Sequence, residues 1–190
     1  MFWEKTYSNN GTSGSGSYGA YALYKAAVLN KFVVENNIRH VTELGCGDGN
    51  QLGMFHFPFY TGVDVSETVI YKCRSLFKED STKNFYTAAE FELIKDKQSI
   101  QTDLALSLDV IYHLLEDDVY EKYIKDLFAA STSFVIIYAW DIVTEKSFHI
   151  LHRKFSAWIN ANIHNWQLVS TLKNKELPEA CDFFIYKKTD

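Results

Sequence analysis

Residues 41–50, VTELGCGDGN, hold the decision about the fold. His40 to Leu44 (HVTEL) is a short β-prone run, and it passes directly into Gly45, Gly47 and Gly49, which strip side-chain bulk from the point where the chain leaves a strand. Glycine admits positive φ and lets a ligand lie against bare backbone, so this turn is read as a backbone-built binding site. It is not a P-loop, because no Lys-Ser/Thr pair follows, and its third glycine arrives one residue too early for G-x-G-x-x-G. Glu43 and Asp48 set carboxylates beside the turn. They would repel a diphosphate and attract a ligand bearing an ammonium or sulfonium charge, which points to an adenosyl amino acid.

Downstream, Tyr60 to Val65 (YTGVDV) reads as a second strand, and Asp64 stands where a strand-end carboxylate accepts hydrogen bonds from both ribose hydroxyls. Ser66 caps a helix with the apolar stripe Val69, Ile70, Cys73, Leu76 and Phe77. Asn84–Thr87 and Asp103–Leu108 are strands. Asp117 and Asp118 open a helix with Val119, Tyr120, Tyr123, Ile124, Leu127 and Phe128 on one face, their charge favourable at its N-terminus. Ser133–Trp140 (SFVIIYAW) is nearly continuous in apolar residues, as in a central strand covered on both faces. The spacing of Phe148, Leu151, Phe155, Trp158 and Ile159 predicts a helix over 144–161. Gln167–Leu172 and Cys181–Lys187, joined by a polar connection containing Pro178, predict a terminal antiparallel hairpin.

Upstream, Tyr21, Tyr24, Val28 and Phe32 are spaced for a helix that ends near Asn36 and Asn37. The Ser/Gly/Asn-rich segment before it, Ser8 to Gly19, fits either a flexible linker or a mobile loop that orders over a ligand. Alternating strands and helices make the whole an α/β protein: a single domain over 1–190 with a doubly wound, Rossmann-like, seven-stranded sheet closed by the hairpin.

Composition agrees. A chain of 190 residues with 47% apolar content supports one sizeable core. With 19 Lys and Arg against 24 Asp and Glu, the net charge of −5 excludes a bulk basic surface for nucleic acid. All nine glycines lie at or before Gly62, which puts backbone-built binding in the first third and leaves the rest to side-chain chemistry. Three cysteines without a CxxC pair argue against a disulfide framework or zinc site and fit the reducing cytoplasm. No apolar run approaches the roughly 20 residues that span a bilayer, and residues 1–10 lack the apolar core of a signal peptide, so neither membrane insertion nor export is expected.

Several side chains are placed for chemistry. His113, four residues after Asp109, is a candidate base for removing a hydroxyl proton, the plain alternative being a helix-start histidine bonded to nearby backbone. Asp141 follows the central strand and emerges on the same edge as Asp109. With His113 the two aspartates would offer hard ligands to a divalent cation, but no HxxE or DxD spacing requires one and no metal is expected. On the predicted helix, His149, His152, Arg153 and Ser156 share one face, which suits an anionic acceptor such as a phosphate or, more plainly, a solvated surface. Tyr18, Tyr21, Tyr112 and Trp140 are candidate pocket walls.

These stretches resemble the class I S-adenosylmethionine-dependent methyltransferases. VTELGCGDGN is similar to their cofactor loop, YTGVDVS (60–66) to their ribose-binding strand end, and DLALSLDVIYHLLEDD (103–118) to the strand and turn beside the transferred methyl. The resemblance implies cofactor contacts from Tyr18, Glu43, Gly45, Cys46, Gly47, Asp64, Val65, Ser107, Leu108 and Asp109. It implies catalysis by His113 and Asp109, and acceptor binding by Tyr21, Asp141, His149, His152 and Arg153. Where the family often has an acidic residue beside adenine, this sequence has Ala88, Ala89 and Glu90. GTSGSGSYGAY (11–21) and FHILHRKF (148–155) further resemble a small bacterial subgroup associated with surface (capsular) polysaccharide biosynthesis. The implied function is a cytoplasmic methyltransferase that uses S-adenosylmethionine, yields S-adenosylhomocysteine and has residues 8–19 as its lid. It would O-methylate a small polar acceptor: a sugar, a sugar nucleotide, or a phosphate or phosphoramidate intermediate. The competing reading is a non-catalytic binding module of the same fold that partners a glycosyltransferase; neither reading involves nucleic acid or membrane.

Overall fold

The computed structural model describes residues 2–94, 102–175, 177 and 180–189. Seven strands, β1 (His40–Leu44), β2 (Phe59–Asp64), β3 (Lys83–Thr87), β4 (Thr102–Leu108), β5 (Ser131–Ala139), β6 (Trp166–Leu172) and β7 (Asp182–Lys188), form one mixed sheet in the order β3-β2-β1-β4-β5-β7-β6. The expected α/β architecture with a terminal antiparallel hairpin is therefore present. The chain packs as two compact units, Met1–Gln101 and Thr102–Asp190.

In the first unit β1, β2 and β3 are parallel, with Leu44 level with Val63 and Asp64 level with Thr87. Val41, Leu44, Tyr60, Val63 and Phe85 are buried. Helix α1 (Phe2–Ser8) precedes α2 (Gly19–Glu35), α3 (Glu67–Leu76) follows β2, and α4 (Ala88–Ile94) follows β3. Ser66 caps α3 by accepting from Val69 N at 3.2 Å, and Val69, Ile70 and Cys73 are buried beneath it. Leu76, expected in the same stripe, is 60% exposed because it lies in the last turn. The expected stripe on α2 is rotated: Ala22, Lys25, Ala26, Leu29 and Val33 are buried, while Tyr21, Tyr24, Val28 and Phe32 are only half-buried. Small alanines allow close packing that large aromatics do not, and bulk misled the periodicity.

In the second unit β4 and β5 are parallel, and β7 runs antiparallel to β5 on one side and β6 on the other. Val135 to Ala139 are fully buried, as the apolar run on β5 required. Helix α5 (Asp117–Ala129) buries Tyr120, Ile124, Leu127 and Phe128, with Val119 exposed. The helix expected over 144–161 is shorter: α6 spans Phe155–Asn162 and residues 140–154 are an ordered loop. Asp141 fixes that boundary by accepting from Ser156 N at 3.0 Å, a carboxylate at the helix start. The loop holds itself by other bonds, Thr144 N to His152 O at 3.3 Å and Ser147 N to Ile150 O at 2.9 Å. Pro178, expected between the hairpin strands, lies outside the described residues. Among the described residues no helix is long and apolar enough to cross a membrane.

Candidate functional site

In the first unit the site is a turn at the carboxyl end of β1. Val63 O accepts from both Gly45 N at 2.7 Å and Cys46 N at 3.0 Å, which folds the chain sharply off the strand. Gly45, Gly47 and Gly49 have φ of 86°, 60° and 80°, so the alternation seen in the sequence is a series of left-handed residues. At Gly47 a Cβ would also collide with the Ser13 side chain. Asp64, 7% exposed, clasps the turn: Oδ2 accepts from Gly47 N at 3.1 Å and Oδ1 from Ser66 N at 3.0 Å. Burial pushes its carboxyl above the ordinary aspartate range against the pull of these backbone donors. The Val65 N–H acts on the same carboxylate, and a ribose hydroxyl would use the acceptor capacity left beyond these three donors. Val65 beside it is half-exposed. Glu43 is buried and accepts from Tyr60 Oη at 2.6 Å. Cys46 is buried too, its thiol pushed up by a hydrogen bond with Cys73 and by burial, which makes it a packing residue rather than a nucleophile.

The N-terminal segment is bonded onto this turn. Ser13 N donates to Asp48 Oδ2 at 3.1 Å, Ser13 Oγ accepts from Asp48 N at 2.9 Å, and Tyr7 Oη shares a 3.0 Å hydrogen bond with the same hydroxyl. Tyr18 Oη donates to Asp48 Oδ2 at 2.7 Å. Burial would raise the Asp48 carboxyl, but Tyr18, Ser13 and Asn50 together lower it. Tyr18 in turn is pushed up to about 12 by burial and by the Asp48 carboxylate. Asn50 Nδ2 and Gln51 Nε2 hold Ser17 at its carbonyl (2.7 Å) and hydroxyl (3.1 Å). Glu4 on α1 accepts from Ser66 Oγ at 2.5 Å and from the Thr68 hydroxyl, which pins α1 to the start of α3. Glu4 and Tyr7 were not expected from the sequence, because a seven-residue helix is too short to show a period, whereas Ser13 falls in the segment expected to order over a ligand. Tyr21 is half-buried on α2.

Glu90, considered for adenine, is already committed. Its carboxylate accepts from Thr87 N at 2.7 Å while Thr87 Oγ1 accepts from Glu90 N at 3.1 Å, the reciprocal capping box that the sequence TAAE encodes. Arg74 pairs with it at 2.8 Å.

In the second unit Ser107 and Leu108 are buried at the end of β4, Ser107 Oγ accepting from Tyr123 Oη at 2.8 Å. Asp109 follows with φ 60°, an unusual conformation for a residue other than glycine and one that concentrates at functional sites. Tyr112 Oη donates to its Oδ1 at 3.0 Å, and Cys181 Sγ lies 3.6 Å from the same oxygen. His113 Nδ1 lies 2.8 Å from His149 O. A carbonyl only accepts, so Nδ1 carries the proton and Nε2 is the acceptor nitrogen of the neutral ring. Burial holds the His113 pKa below the usual 6.5, so the ring is neutral at pH 7.

The structure corrects the expected anion-binding helix face. His149, His152 and Arg153 lie in the loop, not on a helix. Arg153 donates to Leu114 O at 2.6 Å, Leu115 O at 3.0 Å and Asp117 Oδ1 at 2.7 Å, and its guanidinium covers the Tyr120 ring. It is a strut for the loop. Asp141 accepts from the Ser156 hydroxyl and pairs with Lys154 Nζ at 2.8 Å. Among the described residues no group of three or more His, Cys, Asp or Glu side chains is disposed to hold a metal ion.

No protein-family model matches the chain, and no curated protein matches it. Solved structures do. The methyltransferase domain of bacterial CtHen1-C superposes with a TM-score of 0.69 at 19% identity, over 88% of this chain and 98% of that one. The fold is that of the class I methyltransferases. The N-methyltransferase NodS from Bradyrhizobium japonicum, in complex with S-adenosylhomocysteine, gives 0.67 at 14% identity over 88% of this chain and 86% of its own. Magnesium protoporphyrin IX methyltransferase (ChlM) from Synechocystis, with bound S-adenosylmethionine, gives 0.65 at 13% over 88% and 79%. At these identities the likeness is one of architecture.

Proposed function

We propose that the chain is an S-adenosylmethionine-dependent methyltransferase that acts on an oxygen of a small polar acceptor. The observation that carries this reading is the first unit's turn: three left-handed glycines with the Asp64 carboxylate, at the end of β2, fastened to Gly47 N. Similar folds that hold S-adenosylmethionine or S-adenosylhomocysteine support the choice of cofactor. The donor set fits: a bare backbone turn for the methionyl portion, Asp64 for the ribose, and carboxylates of Glu43 and Asp48 compatible with a cationic ligand. When bound, the cofactor supplies an electrophilic methyl group. Gly45, Gly47 and Asp64 would bind and orient it.

On the acceptor, His113 Nε2 takes the hydroxyl proton. Its tautomer is set by His149 O, and burial keeps the ring ready to accept. Tyr112 holds the Asp109 carboxylate in place. We assign the acceptor to the sugars and sugar nucleotides of surface-polysaccharide synthesis on the resemblance of residues 11–21, and residues 8–19 to a lid, since Ser13, Ser17 and Tyr18 bond to the glycine turn. Isothermal titration with S-adenosylmethionine followed by a methyl-transfer assay on sugars and sugar nucleotides tests the reading. Binding with turnover supports it, binding without turnover on any acceptor favours a non-catalytic module, and absence of binding overturns both.

A further inference from the structure

Six rings of the second unit form an unbroken series. Trp140 lies 6.1 Å from His152, His152 5.1 Å from Tyr112, Tyr112 4.5 Å from His113, His113 5.6 Å from His149 and His149 6.0 Å from Phe148, centroid to centroid. His113 and His149 are stacked within 10° of parallel. The series contains the proposed base. Its two ends are the exposed ones, Phe148 at 84% and Trp140 at 37%.

The display is built, not frayed. Leu151 N donates to Tyr112 O at 2.8 Å and His113 Nδ1 to His149 O at 2.8 Å, which clip the loop to the turn after β4. Ser147 closes the bend that carries Phe148, its N and Oγ both donating to Ile150 O at 2.9 and 3.1 Å. These bonds hold the Phe148 ring at the surface.

Charge says what kind of molecule would. Each cation of residues 140–154 is paired: Lys146 with Glu116 at 3.1 Å, Arg153 with Asp117 at 2.7 Å, Lys154 with Asp141 at 2.8 Å. Burial lowers His113 and His152, so those imidazoles are neutral at pH 7. His152 Nδ1 is buried without a hydrogen-bond partner, which keeps that edge of the ring apolar in its surroundings. With Lys146, Arg153 and Lys154 each committed to a carboxylate, a phosphate would meet no unpaired lysine or arginine of this loop, whereas a planar ring meets a ring edge or face at each step.

We propose that this array is the acceptor site and that it recognises a planar uncharged ring, a nucleobase or an aryl group, stacked against Phe148 and His149 beside the hydroxyl to be methylated. The inference rests on the methyltransferase reading for its purpose but not for its test. Saturation-transfer NMR is run with uridine, phenyl β-glucoside, glucose and inorganic phosphate as probes. Uridine or phenyl β-glucoside is expected to bind through its ring protons, and the one that does names the source of the ring. Phe148→Ala should weaken that binding about five- to tenfold, the value of one stacking contact, and Trp140→Ala is the second variant. Val169→Ala, an exposed apolar change on β6, should leave it unaltered.

The proposal is overturned if neither ring probe binds, if glucose or phosphate binds as well as either, or if ring binding survives both aromatic variants. S-adenosylhomocysteine, titrated separately, keeps the two readings apart. Ring binding without it would sink the methyltransferase reading and leave the ring site, while its binding alongside silent ring probes would sink only this proposal.

Discussion

His113 couples a structural bond to a chemical one. Because its Nδ1–H is engaged by His149 O, protonation of Nε2 is the only change open to the ring, and burial makes that change unfavourable. The acid limb of kcat against pH should therefore have its midpoint below about 6.5, the ordinary histidine value. His113→Gln should lower kcat by about 10²- to 10⁴-fold with unchanged cofactor affinity and abolish that limb. The same shift makes a stability prediction. The native state binds its proton less readily than the unfolded state, so stability should decline as pH falls from about 6.5 toward the depressed native value, and His113→Gln should reduce that slope in urea titrations taken at successive pH values, the remainder coming from His152, which burial lowers as well. Gly47 carries a different constraint. An alanine there must hold φ near 60° and force Ser13 aside, so Gly47→Ala should cost about 1–3 kcal/mol in chemical denaturation. It should also disturb the Ser13–Asp48 bonds, visible as faster amide exchange at those two residues. Unaltered exchange would mean that the close approach of Ser13 is not what selects glycine.

At the level of elements, two short pieces are held by a few polar contacts. Helix α1 is fastened through Glu4 to Ser66 and Thr68. Glu4→Ala should leave the sheet intact and raise hydrogen exchange across residues 2–8, with earlier proteolytic nicking between α1 and α2; protection equal to wild type would show that Tyr7 alone holds the helix. The loop 140–154 leans on Arg153. Arg153→Met removes the guanidinium that covers Tyr120 and leaves Leu114 O and Leu115 O without their donor, at about 2 kcal/mol for hydrogen bonds to a charged group. The urea midpoint should drop with the m-value unchanged. Asp117→Asn removes only the exposed ion pair and should cost well under about 1 kcal/mol. These same pieces were the ones least legible in the sequence. Residues 144–154 carry a helical spacing, but Asp141 captures Ser156 and starts the helix at Phe155, a tertiary choice that local periodicity does not encode. By contrast TAAE at 87–90 does encode its capping box, a Thr followed three residues later by a Glu.

For the molecule as a whole, the seven strands were readable because buried strands are written in runs such as SFVIIYAW and because glycine spacing is unambiguous about backbone, whereas the short helices α1 and α4 carry too few turns to show a period. Which side chains meet was not, since Arg153, Asp141 and Tyr18 are equally polar whether they face a ligand or brace the fold, and the partners that decide it lie up to 39 residues away. A ligand measurement that reads the whole fold separates the two uses. Anything that binds only the native state stabilises it by RT ln(1 + [L]/Kd), about 2.7 kcal/mol at a hundredfold excess over Kd. For a chain of this length that corresponds to a rise of about 5–10 °C in Tm. S-adenosylhomocysteine should produce such a rise, and NAD, whose diphosphate would face Glu43 and Asp48, should not. Asp64→Ala will lower the starting Tm by itself, because Gly47 N and Ser66 N lose their acceptor. The informative quantity is therefore the ligand-induced increment, which should fall to near zero if Asp64 holds the ribose. A full increment in the variant would return Asp64 to the role of a turn clasp alone and shift cofactor recognition onto the glycine backbone.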